Sequence, residues 1–125
     1  MKTLARLTLI SISALGAACT TVAAPVPAPS GAGVPVAQSL GTRQCESGGR
    51  TLQALAQSLR DAGVTVLAQA CGHDGRMRPA VCGAPDGMLG IIEIPADQLA
   101  KARSLGFVTL ASLPDAQRQD CPLPR

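Results

Sequence analysis

The sequence has almost no aromatic side chains, since none of its 125 residues is Trp or Tyr and Phe107 is the only Phe. A hydrophobic core must therefore be built from Leu, Val, Ile and Ala, which bury less area per residue than aromatic rings do. A small domain with such a core benefits from covalent cross-links. With a single aromatic residue and no basic block, the chain also lacks the stacking and phosphate-binding surface of a nucleic-acid-binding protein. We therefore predict no nucleic-acid partner.

A strong excess of charge and a long hydrophobic run are missing as well. The formal net charge is +3, but two of the basic residues, Lys2 and Arg6, lie at the start of the chain. From residue 20 onward, nine basic and eight acidic side chains leave a net charge of only +1. No uncharged apolar run reaches the roughly 20 residues that a membrane-spanning helix needs. This pattern excludes a polytopic membrane protein.

Catalytic motifs are also absent, because the sequence contains no C-x-x-C, G-x-S-x-G, H-E-x-x-H or Walker motif. His73 is the only histidine, so an imidazole acid-base scheme would have to use it, with Asp74 or Asp86 as its partner. A zinc site made of Cys71, His73, Cys82 and one further cysteine lacks the usual ligand spacing. We predict no enzyme activity, no cofactor and no metal. The alternative is a small periplasmic metal- or thiol-dependent enzyme centred on His73.

The chain begins with a leader, residues 1–18, in which two basic residues precede a twelve-residue apolar stretch that ends in small residues. This three-part order is typical of a secretory signal peptide. Ala17 and Ala18 directly before Cys19 resemble the leaders of bacterial lipoproteins, although Gly16 stands where that family most often has Leu. The resemblance covers only the leader. It implies that Cys19 receives lipid, becomes the mature N-terminus and anchors the protein to a membrane of the cell envelope.

Residues 19–41 are rich in Pro and Ala and carry no charge, which predicts a disordered linker. At about 3.1 Å per residue, such a linker could hold a domain up to roughly 60 Å from a membrane surface. Cleavage by ordinary signal peptidase beyond Cys19 is the alternative, and it would remove that cysteine. Without Cys19, an even set of four cysteines remains for disulfides in an oxidising compartment: Cys45, Cys71, Cys82 and Cys121.

Residues 42–125 predict one small α+β domain with a sheet of three or four strands and two helices on one face. Apolar residues at helical spacing and turn residues between the segments predict the order α-β-β-α-β: a helix within 47–63, strands at 64–70, 88–94 and 107–113, and a second helix within 95–106. If the segment "TRQCE" at 42–46 adds a first strand, the order becomes the ferredoxin-like β-α-β-β-α-β.

The long loop at 71–87 is rich in Gly and Pro and includes the turn signals "HDG" and "PDG". Four cysteines allow three pairings, and the layout favours Cys71 with Cys82 and Cys45 with Cys121. His73, Arg76 and Arg78 make this loop the candidate binding site, because exposed loops on a rigid scaffold commonly bind partners. The sequence thus predicts an exported, lipid-anchored envelope protein that binds another envelope component.

Overall fold

The computed structural model describes residues 33–122 as an α+β domain with one five-stranded sheet and two helices. Its strands and helices in chain order are β1 Val34–Ser39, α1 Leu52–Asp61, β2 Ala68–His73, β3 Met88–Ile94, α2 Leu99–Ser104, β4 Val108–Thr109 and β5 Gln117–Gln119. Short 3₁₀ turns precede α2 and follow β4. Among these residues, no helix is long and apolar enough to cross a bilayer. The leader and Cys19 lie outside the described residues.

The strands lie in the order β4-β1-β3-β2-β5, and every neighbouring pair is antiparallel. In β3, Ile94 lies opposite Val34 of β1, and Met88 at the other end lies opposite His73 of β2. The chain therefore enters the sheet at the Ile94 end of β3, and the loop between β2 and β3 lies at the Met88 end. This separation of the two ends matters for the candidate site.

The first strand corrects the predicted linker, because residues 34–39 belong to β1 rather than to a disordered segment. Val36 and Ala37 are fully buried between neighbouring strands, so this part of the Pro-rich region is core. Pro35 fits because odd-numbered residues of β1 point their backbone N away from β3, towards β4. The two residues of β4 end before they reach Pro35, so no ladder hydrogen bond is lost there.

The α1 helix is where the sequence predicts it, with Leu52, Leu55, Ala56 and Leu59 buried on one face. Its first turn is capped by Thr51, whose Oγ1 accepts a hydrogen bond from the Ala54 amide at 3.0 Å. Gly90 in β3 lets α1 approach the sheet closely. A Cβ at that position would come within 2.5 Å of a Leu55 methyl group.

Both faces of the sheet are covered. The helix side forms the larger core cluster, which includes residues of both helices and Phe107. On the opposite side, Leu89 and Ile91 pack under the segment that follows β4, including Leu110 and Leu113. Both helices contribute to the larger cluster, as predicted for two helices on one face of the sheet. The sequence did not predict that the segment after β4 would cover the other face.

Several strands differ in extent from the prediction. Strand 64–70 is shifted to Ala68–His73, strand 107–113 shrinks to Val108–Thr109, and the polar segment near the C-terminus contributes β5. The strands before and after α2 run in the same direction, and β1 lies between them in the sheet. The polar β5 forms because backbone pairing to the edge of β2 needs no apolar side chains.

The four cysteines form two disulfides, Cys45–Cys82 and Cys71–Cys121. The pairing that the spacing favoured, Cys71 with Cys82, is therefore wrong. Because β5 runs back along β2, Cys71 lies opposite Gln119 and Cys121 is only two residues further on. Distance along the chain misleads here, since the tail returns to the strand that holds Cys71.

Candidate functional site

The candidate site is the loop between β2 and β3, residues 74–87, together with the segment 41–46 that lies beside it. Backbone hydrogen bonds join Gln44 to Gly83 and Ala84, and Arg43 forms a bridge with Pro85. These pairs continue the register of β1 and β3 beyond the sheet. The predicted "TRQCE" strand is therefore not the first strand of the fold. It is an extension of the β1–β3 ladder that supports the loop.

Side chains and a disulfide hold the same two segments together. Arg43 Nη1 donates a hydrogen bond to the Gly83 carbonyl oxygen at 2.7 Å, and Gln44 Nε2 donates to that of Pro79 at 3.0 Å. The exposed Cys45–Cys82 disulfide lies next to these contacts. The loop is thus fixed along its second half, and residues 75–81 form its tip, which Gln44 holds at Pro79.

A small polar cluster closes the base of the loop. Thr42 Oγ1 donates a hydrogen bond to Asp86 Oδ1 at 2.6 Å. Asp86 Oδ1 also accepts a hydrogen bond from the Met88 amide at 3.0 Å. Gly87 follows with φ of +84°, and a Cβ there would come within 2.7 Å of both Asp74 Oδ1 and His73 Nε2. Glycine is needed at this position because both the left-handed backbone and the close approach exclude a side chain.

His73 takes part in this cluster through both ring nitrogens. Nδ1 accepts a hydrogen bond from the Gly75 amide at 3.0 Å, so the ring proton lies on Nε2, which donates to the Asp86 carbonyl oxygen at 2.9 Å. Asp86 is thus next to His73, but it contributes a backbone oxygen and not a carboxylate. In this arrangement both ring nitrogens are hydrogen-bonded to backbone groups at the base of the loop.

Asp74 fixes the turn into the tip. Its Oδ1 accepts the Arg76 amide at 3.1 Å, and its Oδ2 forms an ion pair with Arg78. Burial of the carboxyl acts to raise the pKa of Asp74, but the Arg76 amide and the Arg78 guanidinium together outweigh burial and lower it. The carboxylate is therefore stabilised in its charged form, and Arg78 serves the loop structure instead of being free for a partner.

Asp74→Asn should lower the free energy of unfolding by about 1 kcal/mol at neutral pH, since the ion pair is partly exposed. Because the pKa of Asp74 is lower in the folded than in the unfolded chain, this contribution is fully present above about pH 4. The contribution is lost as the pH falls through the pKa that Asp74 has in the folded protein. Urea unfolding between about pH 3 and pH 7 should show the difference between wild type and variant shrinking on the acid side.

The matched control is Asp97→Asn, because Asp97 is exposed and lies in the turn before α2, away from the loop. It removes one carboxylate without touching the loop. A pH profile for Asp97→Asn that matched the profile for Asp74→Asn would contradict the role given to the Arg78 pair.

The tip carries the exposed groups of the site. Met77 is 100% exposed and Val81 is 57% exposed. The Arg76 guanidinium is exposed and has no hydrogen-bond or ion-pair partner within the described range. Of the three residues proposed from the sequence, Arg76 is therefore available to a partner, whereas His73 and Arg78 are used inside the loop.

Two shallow clefts lie near the loop, with volumes of about 280 and 250 Å³. The first is lined by Asp74 and Arg76 together with residues of β1, β3 and β4, and the second by residues 42–46 with Asp86 and Met88. Both fall below the roughly 300–1,000 Å³ that small-molecule sites occupy. Within residues 33–122, no group of three or more His, Cys, Asp or Glu side chains is placed to hold a metal ion.

Met77, Thr42 and Gln44 are the residues that sequence reasoning missed. An apolar side chain between two arginines in a turn-rich loop is a usable signal for Met77, because such a position is seldom buried. Thr42 and Gln44 gave no signal of their own, since their roles depend on the register of β1 with β3.

Comparisons with known proteins add no assignment, since no family model, no curated protein and no solved structure matches the chain.

Proposed function

We propose that this protein is an exported, non-enzymatic binding module, anchored to a bacterial cell envelope by lipid on Cys19, that captures an envelope protein with its 74–87 loop. The observation that carries the proposal is a loop held firmly at its base with a fully exposed apolar residue, Met77, at its tip. Single exposed apolar side chains are common on protein surfaces, so the proposal depends on the combination of Met77 with the ordered loop base beneath it.

The anchored base favours binding by this loop. The ladder to residues 42–46, the Cys45–Cys82 disulfide and the Asp74–Arg78 pair all restrict its conformations before a partner arrives. A loop that is ordered in advance loses less conformational entropy on binding. This organisation distinguishes it from an ordinary flexible connection.

The rival function, a metal- or thiol-dependent enzyme at His73, has less support. Both ring nitrogens of His73 are hydrogen-bonded, and all four cysteines within residues 33–122 are paired as disulfides. An acid-base or metal-binding role for the imidazole would need the Gly75 amide to release Nδ1, and a thiol role would need a disulfide to be reduced. We further infer that the first six elements follow the ferredoxin-like β-α-β-β-α-β order, which hosts many functions and does not select one.

Because β1 begins at Val34, the proposed tether is shorter than the sequence alone implied. Residues 20–33 remain between Cys19 and the sheet, and at about 3.1 Å per residue they reach roughly 45 Å. The oxidising compartment that the proposal needs is supported by the two disulfides.

The first test concerns the anchor. Mass spectrometry of the exported protein should find a mature N-terminus at Cys19 that carries a diacylglyceryl group, with or without a further acyl chain. An unmodified N-terminus beyond Cys19 would contradict the anchored form of the proposal.

The second test concerns the loop. Met77→Ser should weaken partner binding about tenfold, because removing an apolar contact residue commonly costs 1 to 2 kcal/mol. The change is measured by co-purifying the partner from envelope extracts with increasing amounts of wild-type or variant protein. Leu67→Ser is the matched control, since Leu67 is also an exposed apolar residue but lies before β2, at the opposite end of the sheet from the loop. An equal loss in both variants would argue against the loop as the binding element.

A further inference from the structure

The tether and the loop lie at opposite ends of the sheet. Gly33 precedes β1 where Val34 pairs with Ile94, and the loop leaves β2 where His73 pairs with Met88. The seven residues of β3 separate these positions by about 20 Å at 3.3 Å per residue. Leu67 marks the tether end, because its Cδ1 lies 3.1 Å from where a Cβ of Gly33 would be. Met77 lies at the far end.

The exposed groups of the far end include two apolar side chains, Met77 and Val81, and the Arg76 guanidinium. Met77 is unbranched and polarisable, so it adapts to an apolar socket. Arg76 presents a guanidinium without an internal partner among the described residues, and such a group pairs best with a carboxylate. A socket lined by apolar residues with an acidic rim would complement both.

We propose that the loop is presented away from the membrane that holds Cys19, and that it docks a protein whose apolar socket takes Met77 and whose carboxylate pairs with Arg76. This inference rests on the proposed function, and it adds the direction of binding and the chemistry of the partner. The chain outside the structure supports it, because residues 1–32 join the domain at Gly33, on the end opposite the loop.

A protein fits this end better than a lipid surface does. Membrane-binding basic segments use clusters of four or more Lys or Arg, each worth about 1 kcal/mol near an anionic surface. Here Arg78 is already paired with Asp74, which leaves Arg76 as the available cation of the tip. The tip also lacks the Trp and Tyr residues that anchor proteins at membrane interfaces.

The orientation can be measured on the full chain carrying lipid on Cys19, in nanodiscs that contain a gadolinium-chelating lipid. Labelling Met methyl groups with ¹³C reports on Met77 and Met88, which are the two Met residues beyond the leader. The variant L67M adds a reporter at the tether end, and Leu to Met exchanges are tolerated well. The methyl signal at position 67 should broaden several-fold more than that of Met77.

The partner is tested in intact cells with a photo-crosslinking amino acid at position 77, and with the same group at position 67 as the matched control. Protein adducts should form from position 77, and Arg76→Glu should reduce them at least tenfold by reversing the charge that faces the partner. Arg76→Lys should retain a larger share of the adducts. Adducts with lipid from position 77, or protein adducts that are indifferent to Arg76→Glu, would overturn the proposal.

The lipid anchor and the orientation of the domain are contradicted by different results. An exported protein with an unmodified N-terminus would overturn the proposed anchor. The proposed orientation would fall with it, because the orientation is defined relative to the membrane that holds Cys19. A lipidated chain in which Met77 broadens as much as position 67 overturns the orientation while the anchor stands.

Discussion

Replacing Cys71 and Cys121 together by alanine is expected to lower the free energy of unfolding by about 2–5 kcal/mol. The bridge spans 50 residues and ties the tail to β2, so removing it frees the unfolded chain. It also leaves β5 with three exposed polar residues and no apolar side chain to hold it. Cys71 is only 2% exposed, so its loss also disturbs the core. Urea unfolding followed by far-UV circular dichroism measures the change.

The matched comparison removes the other bridge with Cys45→Gly and Cys82→Ala. Glycine suits the φ of +63° at position 45, and both sulfurs lie in exposed residues. The ladder between residues 42–46 and 83–86 remains, so the loss of stability should be smaller and the loop should loosen without exposing the core. Equal losses in the two double variants would show that burial of Cys71 contributes nothing.

Leu55→Ala should destabilise the domain by about 2–5 kcal/mol, the range for removing a buried leucine side chain. Leu55 is fully buried between α1 and the sheet and lies directly over Gly90. With a single aromatic residue in the chain, neighbouring side chains have little bulk with which to fill the cavity. The midpoint of urea unfolding reports the loss.

Leu67→Ala makes the same chemical change at a position that is 51% exposed. Its cost should stay below about 1 kcal/mol, because little buried area is removed. A cost for Leu55→Ala no larger than that for Leu67→Ala would contradict the assignment of α1 to the centre of the core.

The features that sequence predicted well are local ones. The amphipathic spacing from Leu52 to Leu59 defines α1, and the mostly apolar segment at 88–94, interrupted by Glu93, defines β3. The even set of four cysteines that follow Cys19 correctly predicted two disulfides. Each of these signals lies within a short window or in a simple count, so no knowledge of the tertiary structure was needed.

The features that sequence missed depend on distant residues. Residues 34–39 look like a continuation of the Pro-rich linker, and only burial against β3 and β4 makes them a strand. The disulfide pairing depends on β5 returning along β2, which its polar residues do not signal. In the same way, the sequence identified Arg76 as a candidate contact but could not show that Asp74 engages Arg78.

The two outermost strands of the sheet are very short, with two residues in β4 and three in β5. Each therefore offers only a brief row of free backbone donors and acceptors to a neighbouring molecule, and the β5 row carries three polar side chains. A second copy that added a strand to either edge would therefore form few backbone hydrogen bonds. Under the proposed anchoring, where molecules crowd on a two-dimensional surface, this keeps neighbours from joining edge to edge into a growing ribbon.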